Sequence, residues 1–166
     1  MRKSMAALLA LLMLMPFVAC NSNDHGASGG EVLDKSCREI IEYIYEHVEQ
    51  TQYIKDHMTY TMFHDTEAVA SRCSWFLGID GIPFQDACAS ESAMSPADYS
   101  LVVVKIKNGE NAEAWMKSID DNIDHDKWIC MGAGAKRIER IGDVILLALA
   151  DRTNADNIAR VFLGLK

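Results

Sequence analysis

Two nearly continuous apolar segments, residues 99–107 and 144–150, constrain the fold of this 166-residue chain most strongly. Residues 99–107 (YSLVVVKIK) are rich in β-branched side chains and predict a buried strand. Residues 136–141 and 144–150 predict two more strands, because the Gly142-Asp143 pair between them is a two-residue hairpin signal.

Helical periodicity dominates the N-terminal half of the chain. Apolar side chains recur on one stripe and predict an amphipathic helix over 31–49. A second helix is expected to begin near Asp65, a plausible N-cap, and to end at Gly78. Residues 53–64 are ambiguous between a strand and a loop, and another strand is expected near 85–93.

Two further helices complete the C-terminal part. One is predicted over 112–123, and Thr153 with Asp156 forms a capping-box pattern at the start of the last one. The expected fold class is α+β: one domain over 31–166 with a mixed or antiparallel sheet and helices on one face. It contains a C-terminal strand-helix-hairpin-helix unit, on which the N-terminal amphipathic helix packs.

The N-terminus has the composition of a cleaved export signal. Arg2 and Lys3 precede an apolar run over 5–19 that is interrupted only at Pro16. As a helix this run would be about 22 Å long, too short to cross a hydrocarbon core of about 30 Å. A signal peptide over 1–19 is therefore favoured over a membrane span.

The leader ends in Phe17-Val18-Ala19-Cys20, which resembles a bacterial lipobox with Phe17 where Leu is usual. The resemblance implies that Cys20 receives a diacylglycerol on sulfur and becomes the mature N-terminus; ordinary cleavage with a free Cys20 is the alternative. The small polar residues over 20–30 predict a flexible tether. We expect an exported protein, anchored to the outer face of the cell membrane or, in a cell with two membranes, to the outer membrane.

The order of these features resembles a family of small lipoproteins of Gram-positive bacteria that carry a domain of unknown function. Besides the lipobox and tether, the resemblance rests on Gly78-Ile79-Asp80 after a helix, the Ser/Ala-rich stretch 87–98 and the hairpin over 141–151. It covers nearly the whole mature chain and implies no activity, cofactor or ligand, so only the lipidation of Cys20 carries over. The family is usually poor in cysteine, and this chain departs from it.

The charge and composition exclude some classes of protein. An apolar fraction of 49% is too high for a wholly disordered chain. The formal net charge of −8 disfavours nucleic acid as a partner, because phosphate binding requires clustered Lys and Arg.

Four cysteines fall in the predicted domain: Cys37, Cys73, Cys88 and Cys130. They form no Cys-x-x-Cys pair, which disfavours a thioredoxin-like centre or a zinc ribbon. Cys37 and Cys73 both lie on apolar helix faces and could form a disulfide between packed helices. The alternative is that all four are free and act as small buried hydrophobes.

Two clusters are weak candidates for metal sites. His47, His57 and His64 lack the spacing of a zinc motif, so solvent-facing histidines are expected. The acidic run over 120–126 lacks the Gly and Glu of a calcium loop and is expected to be an acidic helix end. Because a helix C-terminus disfavours negative charge, a compensating cation or basic partner is the alternative. No metal or cofactor is predicted.

Two tryptophans are the candidate binding residues. Trp75 lies one residue off the apolar face of its helix, and Trp128 lies in a polar connector; an exposed Trp is uncommon without a role. The leading hypothesis is a non-enzymatic, lipid-anchored accessory domain that binds an envelope protein or peptide. A small-solute or metal-binding lipoprotein is second, and an envelope hydrolase or thiol enzyme is third. A concave pocket lined by either Trp would favour the second hypothesis, and a flat apolar patch the first.

Overall fold

The computed structural model describes residues 33–49, 52–65, 69–93, 98–128 and 132–165. The expected leader, the expected lipidation site Cys20, the expected tether and Cys130 lie outside the described residues. No helix in the described part of the chain is long and apolar enough to cross a membrane.

In the part of the chain that the structure describes, five strands form one antiparallel sheet: β1 (Met58–Met62), β2 (Phe84–Ser92), β3 (Ser100–Ile106), β4 (Ala135–Ile141) and β5 (Val144–Ala150). Their spatial order is β1-β2-β3-β5-β4, and every neighbouring pair is antiparallel. The four predicted strands are confirmed, with the β4–β5 hairpin turning at Gly142-Asp143. The ambiguous stretch over 53–64 contains β1, which lies at one edge of the sheet.

Within the described ranges, five α-helices surround this sheet: α1 (Cys37–His47), α2 (Gln52–His57), α3 (Val69–Leu77), α4 (Ala112–Asn122) and α5 (Arg152–Leu163). A short 3-10 helix, Phe63–Asp65, follows β1. The predicted α+β class and the C-terminal strand-helix-hairpin-helix unit are confirmed. The expected N-cap role of Asp65 depends on residues 66–68, which lie outside the described residues.

The helices cover both faces of the sheet, so the expectation of helices on one face is wrong. Helices α1 and α5 pack on one face with Leu101, Val103 and Leu146 of the central strands. Helices α3 and α4 pack on the other face with Val102 and Leu147. Because alternate residues of a strand point to opposite faces, a strand buried on both faces is apolar at nearly every position.

Helix α1 begins later than predicted because a local cap fixes its start. Ser36 is the N-cap, its Oγ accepts a hydrogen bond from the Glu39 amide at 3.2 Å, and the Glu39 carboxylate accepts one from the Ser36 amide at 2.8 Å. This reciprocal capping box starts the helix at Cys37 rather than at residue 31.

Helix α5 also starts differently from the prediction. Asp151, not Thr153, is its N-cap, and the Asp151 carboxylate accepts a hydrogen bond from the Asn154 amide at 3.1 Å. The Thr153/Asp156 capping box is therefore wrong, because β5 ends one residue before Asp151 and the chain enters the helix at once.

The described cysteines are buried on both sides of the sheet. Cys37 and Cys88 belong to the core under α1 and α5, whereas Cys73 belongs to the core under α3 and α4. The possible Cys37–Cys73 disulfide is therefore wrong, because the sheet separates the two thiols.

Burial disfavours the ionisation of Cys37 and Cys73. It raises the pKa of Cys37 far above 9.0, an effect that nearby Asp86 reinforces, and it also raises the pKa of Cys73. We expect iodoacetamide to label Cys37, Cys73 and Cys88 in the unfolded chain but not in the native one, as peptide mass spectrometry would show.

The same thiols predict a pH dependence of stability. Above about pH 9 the unfolded chain ionises its cysteines while folded Cys37 keeps its proton, so the free energy of unfolding falls as the pH rises. Urea unfolding between about pH 8 and pH 10 measures this slope, and Cys37→Ala should flatten it. An unchanged slope in Cys37→Ala would contradict the assignment.

Candidate functional site

The structure brings the two candidate tryptophans together around one lysine. The Nζ atom of Lys127 lies 4.8 Å from the ring centroid of Trp75 and 5.0 Å from that of Trp128. It also lies 5.2 Å from the ring centroid of Phe76. Three aromatic rings thus surround one ammonium group at cation–π distance.

Lys127 also makes two direct polar contacts. Its ammonium donates to Glu91 Oε1 at 2.7 Å and to the Trp75 backbone carbonyl at 3.1 Å. Its side chain is only 6% exposed and that of Glu91 is 17% exposed, so this ion pair is largely removed from water. Burial lowers the pKa of Lys127, while Glu91 opposes that effect.

Glu91 joins three elements at this site. It lies in β2 on the sheet face covered by α3 and α4, as its alternation with Ala87 and Ala89 requires. One carboxylate oxygen accepts from Lys127 and the other accepts from Trp75 Nε1 at 3.0 Å. The indole is therefore fixed at its nitrogen edge.

Trp75 is the most exposed large apolar side chain in the described residues, at 44%. The inward stripe of α3 contains Cys73, Phe76 and Leu77, so Trp75 lies at the edge of that stripe, as its position in the sequence predicts. Trp128 is half-buried and packs against the same core. The two predicted residues thus differ: Trp75 presents its ring to solvent, and Trp128 mainly supports Lys127.

Trp75 lines a groove between the C-terminal ends of α3 and α4. The groove has a volume of about 560 Å³ and opens widely to solvent. Its lining is Ser71, Ser74, Trp75, Gly78, Asn122, Ile123, Asp124 and Lys127. We call this surface the Trp75 groove.

The two helix ends approach each other closely at the base of this groove. Gly78 ends α3 with φ of +71°, and a Cβ atom at this position would lie 2.5 Å from the carbonyl oxygen of Asn122. Only glycine combines this backbone conformation with this spacing. The predicted stop at Gly78 is confirmed, and its second role is to let α3 and α4 meet.

Lysines of the protein itself neutralise two of the four aspartates in the acidic run. Lys136 pairs with Asp120 and Lys117 with Asp121, both at 2.7 Å. Asp124 differs, because its Oδ1 accepts from the Asp126 amide at 2.8 Å and no lysine or arginine among the described residues pairs with it. The alternative of an external cation or basic partner therefore reduces to Asp124, which lines the Trp75 groove, and Asp126, which lies 3.1 Å from His125.

His47 and His64 are exposed, in line with the expectation of solvent-facing histidines, and His57 is half-buried. His47 stacks on Tyr43 at the end of α1 with 3.9 Å between ring centroids. His64 lies 3.8 Å from Asp86, whose other carboxylate oxygen accepts from the Cys37 amide at the start of the same helix. Among the described residues no three His, Cys, Asp or Glu side chains come close enough to hold a metal ion.

Sequence reasoning identified Trp75 and Trp128 but missed Lys127 and Glu91. Glu91 lies 36 positions from Lys127, and a polar residue near the end of a strand gives no signal of burial. The only local hint was that Lys127 precedes Trp128.

No family model, curated protein or solved structure matches the chain.

Proposed function

We propose that this chain is a lipid-anchored, non-enzymatic binding domain of the cell envelope and that it binds a protein or peptide partner in the Trp75 groove. The exposed indole of Trp75 carries the proposal. Tryptophan residues fixed by their neighbours are the usual centres of binding energy at protein interfaces. Glu91 and Lys127 hold this indole in place, so binding would cost little side-chain entropy.

The openness of the groove favours a macromolecular partner over a small solute. Sites for small molecules bury most of the ligand surface, whereas this groove is open to solvent along one side. An extended segment of a larger partner can lie along an open groove and continue beyond its ends.

A small-solute receptor is the second candidate, and the concave shape of the groove favours it. The volume of about 560 Å³ lies within the range of ordinary ligand sites. A rise in melting temperature with a sugar or an amino acid, lost in Trp75→Ala, would support this alternative.

The anchor is tested by phase partition. The protein produced in bacteria should enter the detergent phase of a Triton X-114 extract, because acyl chains on Cys20 bind micelles. The Cys20→Ala variant should stay in the aqueous phase. Recovery of the unsubstituted protein in the aqueous phase would contradict the anchoring.

The docking site is tested by photo-cross-linking in the cell. A photoreactive amino acid at Ser71, which is exposed and lines the groove, should give a discrete cross-linked partner. The same group at Asp34, exposed beside the α1 side of the sheet, is the matched control. Equal cross-linking from both positions, or a Ser71 cross-link that survives Trp75→Ala, would contradict the proposal.

A further inference from the structure

We infer that the Trp75 groove recognises a cationic peptide segment, with an arginine or lysine side chain placed between the outer part of the Trp75 ring and the Asp124 carboxylate. This inference rests on the proposed function and specifies the chemistry of its partner. Charge complementarity carries it, together with the geometry of the aromatic ring.

The charges around the groove leave a net negative site. Lys127 is the only lysine or arginine in the lining, and Glu91 already neutralises it at 2.7 Å. Asp124 remains at the rim as an exposed carboxylate whose second oxygen accepts no hydrogen bond from the described residues. Among the described lining residues, the uncompensated formal charge presented to a ligand is therefore that of Asp124.

The helix ends add to this negative potential. Helices α3 and α4 both terminate at the groove, where Gly78 lies against the Asn122 carbonyl. A helix C-terminus carries a partial negative charge of about half an elementary charge, and two such ends converge here. Lys127 satisfies one carbonyl, that of Trp75, from within the protein. A second cation would be favoured in the same field.

The indole provides the other half of the site. Tryptophan binds cations over its ring face better than any other side chain, and arginine also stacks on it. One cation, Lys127, already lies over the Trp75 ring, yet the side chain remains 44% exposed. A guanidinium stacked on the exposed part and directed at Asp124 would use both groups at once.

The test is isothermal titration calorimetry of the full chain in detergent micelles. The probe is a short peptide of alternating glycine and arginine, and the control peptide carries citrulline, an uncharged isostere, at each arginine. We expect the arginine peptide to bind about 10-fold more tightly than the citrulline peptide, and more weakly as salt is added.

Three variants locate the interaction. Trp75→Ala should weaken binding of the arginine peptide about 30-fold, as removal of a central tryptophan does. Asp124→Asn should weaken it about 3-fold, as loss of an exposed ion pair does, and this surface change leaves the fold intact. Asp34→Asn removes the same charge on the α1 side and should leave the affinity unchanged.

Equal affinity for the two peptides, or equal effects of Asp124→Asn and Asp34→Asn, would overturn the inference. A Trp75-dependent cross-link at Ser71 together with no arginine-peptide binding would overturn it as well, while leaving the proposed function in place. Absence of both the Trp75-dependent cross-link and arginine-peptide binding would contradict the proposed function and the inference together.

Discussion

Gly78→Ala is expected to destabilise the folded protein by about 3 kcal/mol, since two penalties add at this position. The alanine would be held at a φ of +71°, and its Cβ would lie within 2.6 Å of three backbone atoms of Asn122 and Ile123. Backbone atoms cannot move aside as the end of a flexible side chain can. The melting temperature should therefore fall by roughly 6–12 °C in calorimetry.

Substitutions at two other glycines measure the penalty of the positive φ and the penalty of the close contact separately. Gly109 has φ of +88° with no atom within 4 Å of its Cβ position, so Gly109→Ala should cost only about 1 kcal/mol of backbone strain. Gly81 has neither feature, so Gly81→Ala should be neutral or slightly stabilising. Equal losses of stability in Gly78→Ala and Gly109→Ala would contradict the close approach of α3 and α4.

Lys127→Met is expected to cost about 3 kcal/mol of unfolding free energy, because it leaves the Glu91 carboxylate largely buried without its partner. Methionine preserves most of the side-chain volume and its contact with the rings, so the loss reports mainly on charge. Adding Glu91→Gln should restore a large part of the stability, and the double-mutant cycle gives the coupling energy directly. Urea unfolding at neutral pH measures all four proteins.

The matched control is Lys117→Met. Lys117 pairs with Asp121 at 2.7 Å, but the two side chains are 74% and 53% exposed. Such a pair on a helix surface contributes far less to stability, because water screens both charges. Equal losses in Lys117→Met and Lys127→Met would contradict the burial of the Lys127–Glu91 pair.

Local sequence patterns predicted most of the fold. The strands and the helix stop at Gly78 depend on near neighbours, so the sequence contained their signals. The sequence did not predict that helices cover both faces of the sheet. A continuous apolar strand such as β5 can be covered by helices or by another sheet. The wrong prediction of a Cys37–Cys73 disulfide has the same origin. An apolar stripe indicates that a helix is buried but not on which side of the sheet it packs.

The site was predicted only in part, for a related reason. The position of Trp75 beside the apolar stripe of α3 was a local signal, and its exposure follows from it. The roles of Lys127 and Glu91 depend on the way α3, β2 and the segment after α4 come together. That arrangement is a property of the packed domain, and local composition does not indicate it.

The central claim is that the Trp75 groove is the binding surface of this domain, and amide chemical-shift mapping of the full chain in micelles tests it most directly. Titration with the arginine peptide should shift the amide signals of residues 71–78 and 122–128 and leave those of α1 and α5 unchanged. Shifts confined to α1 and α5, or spread evenly over the surface, would contradict the account.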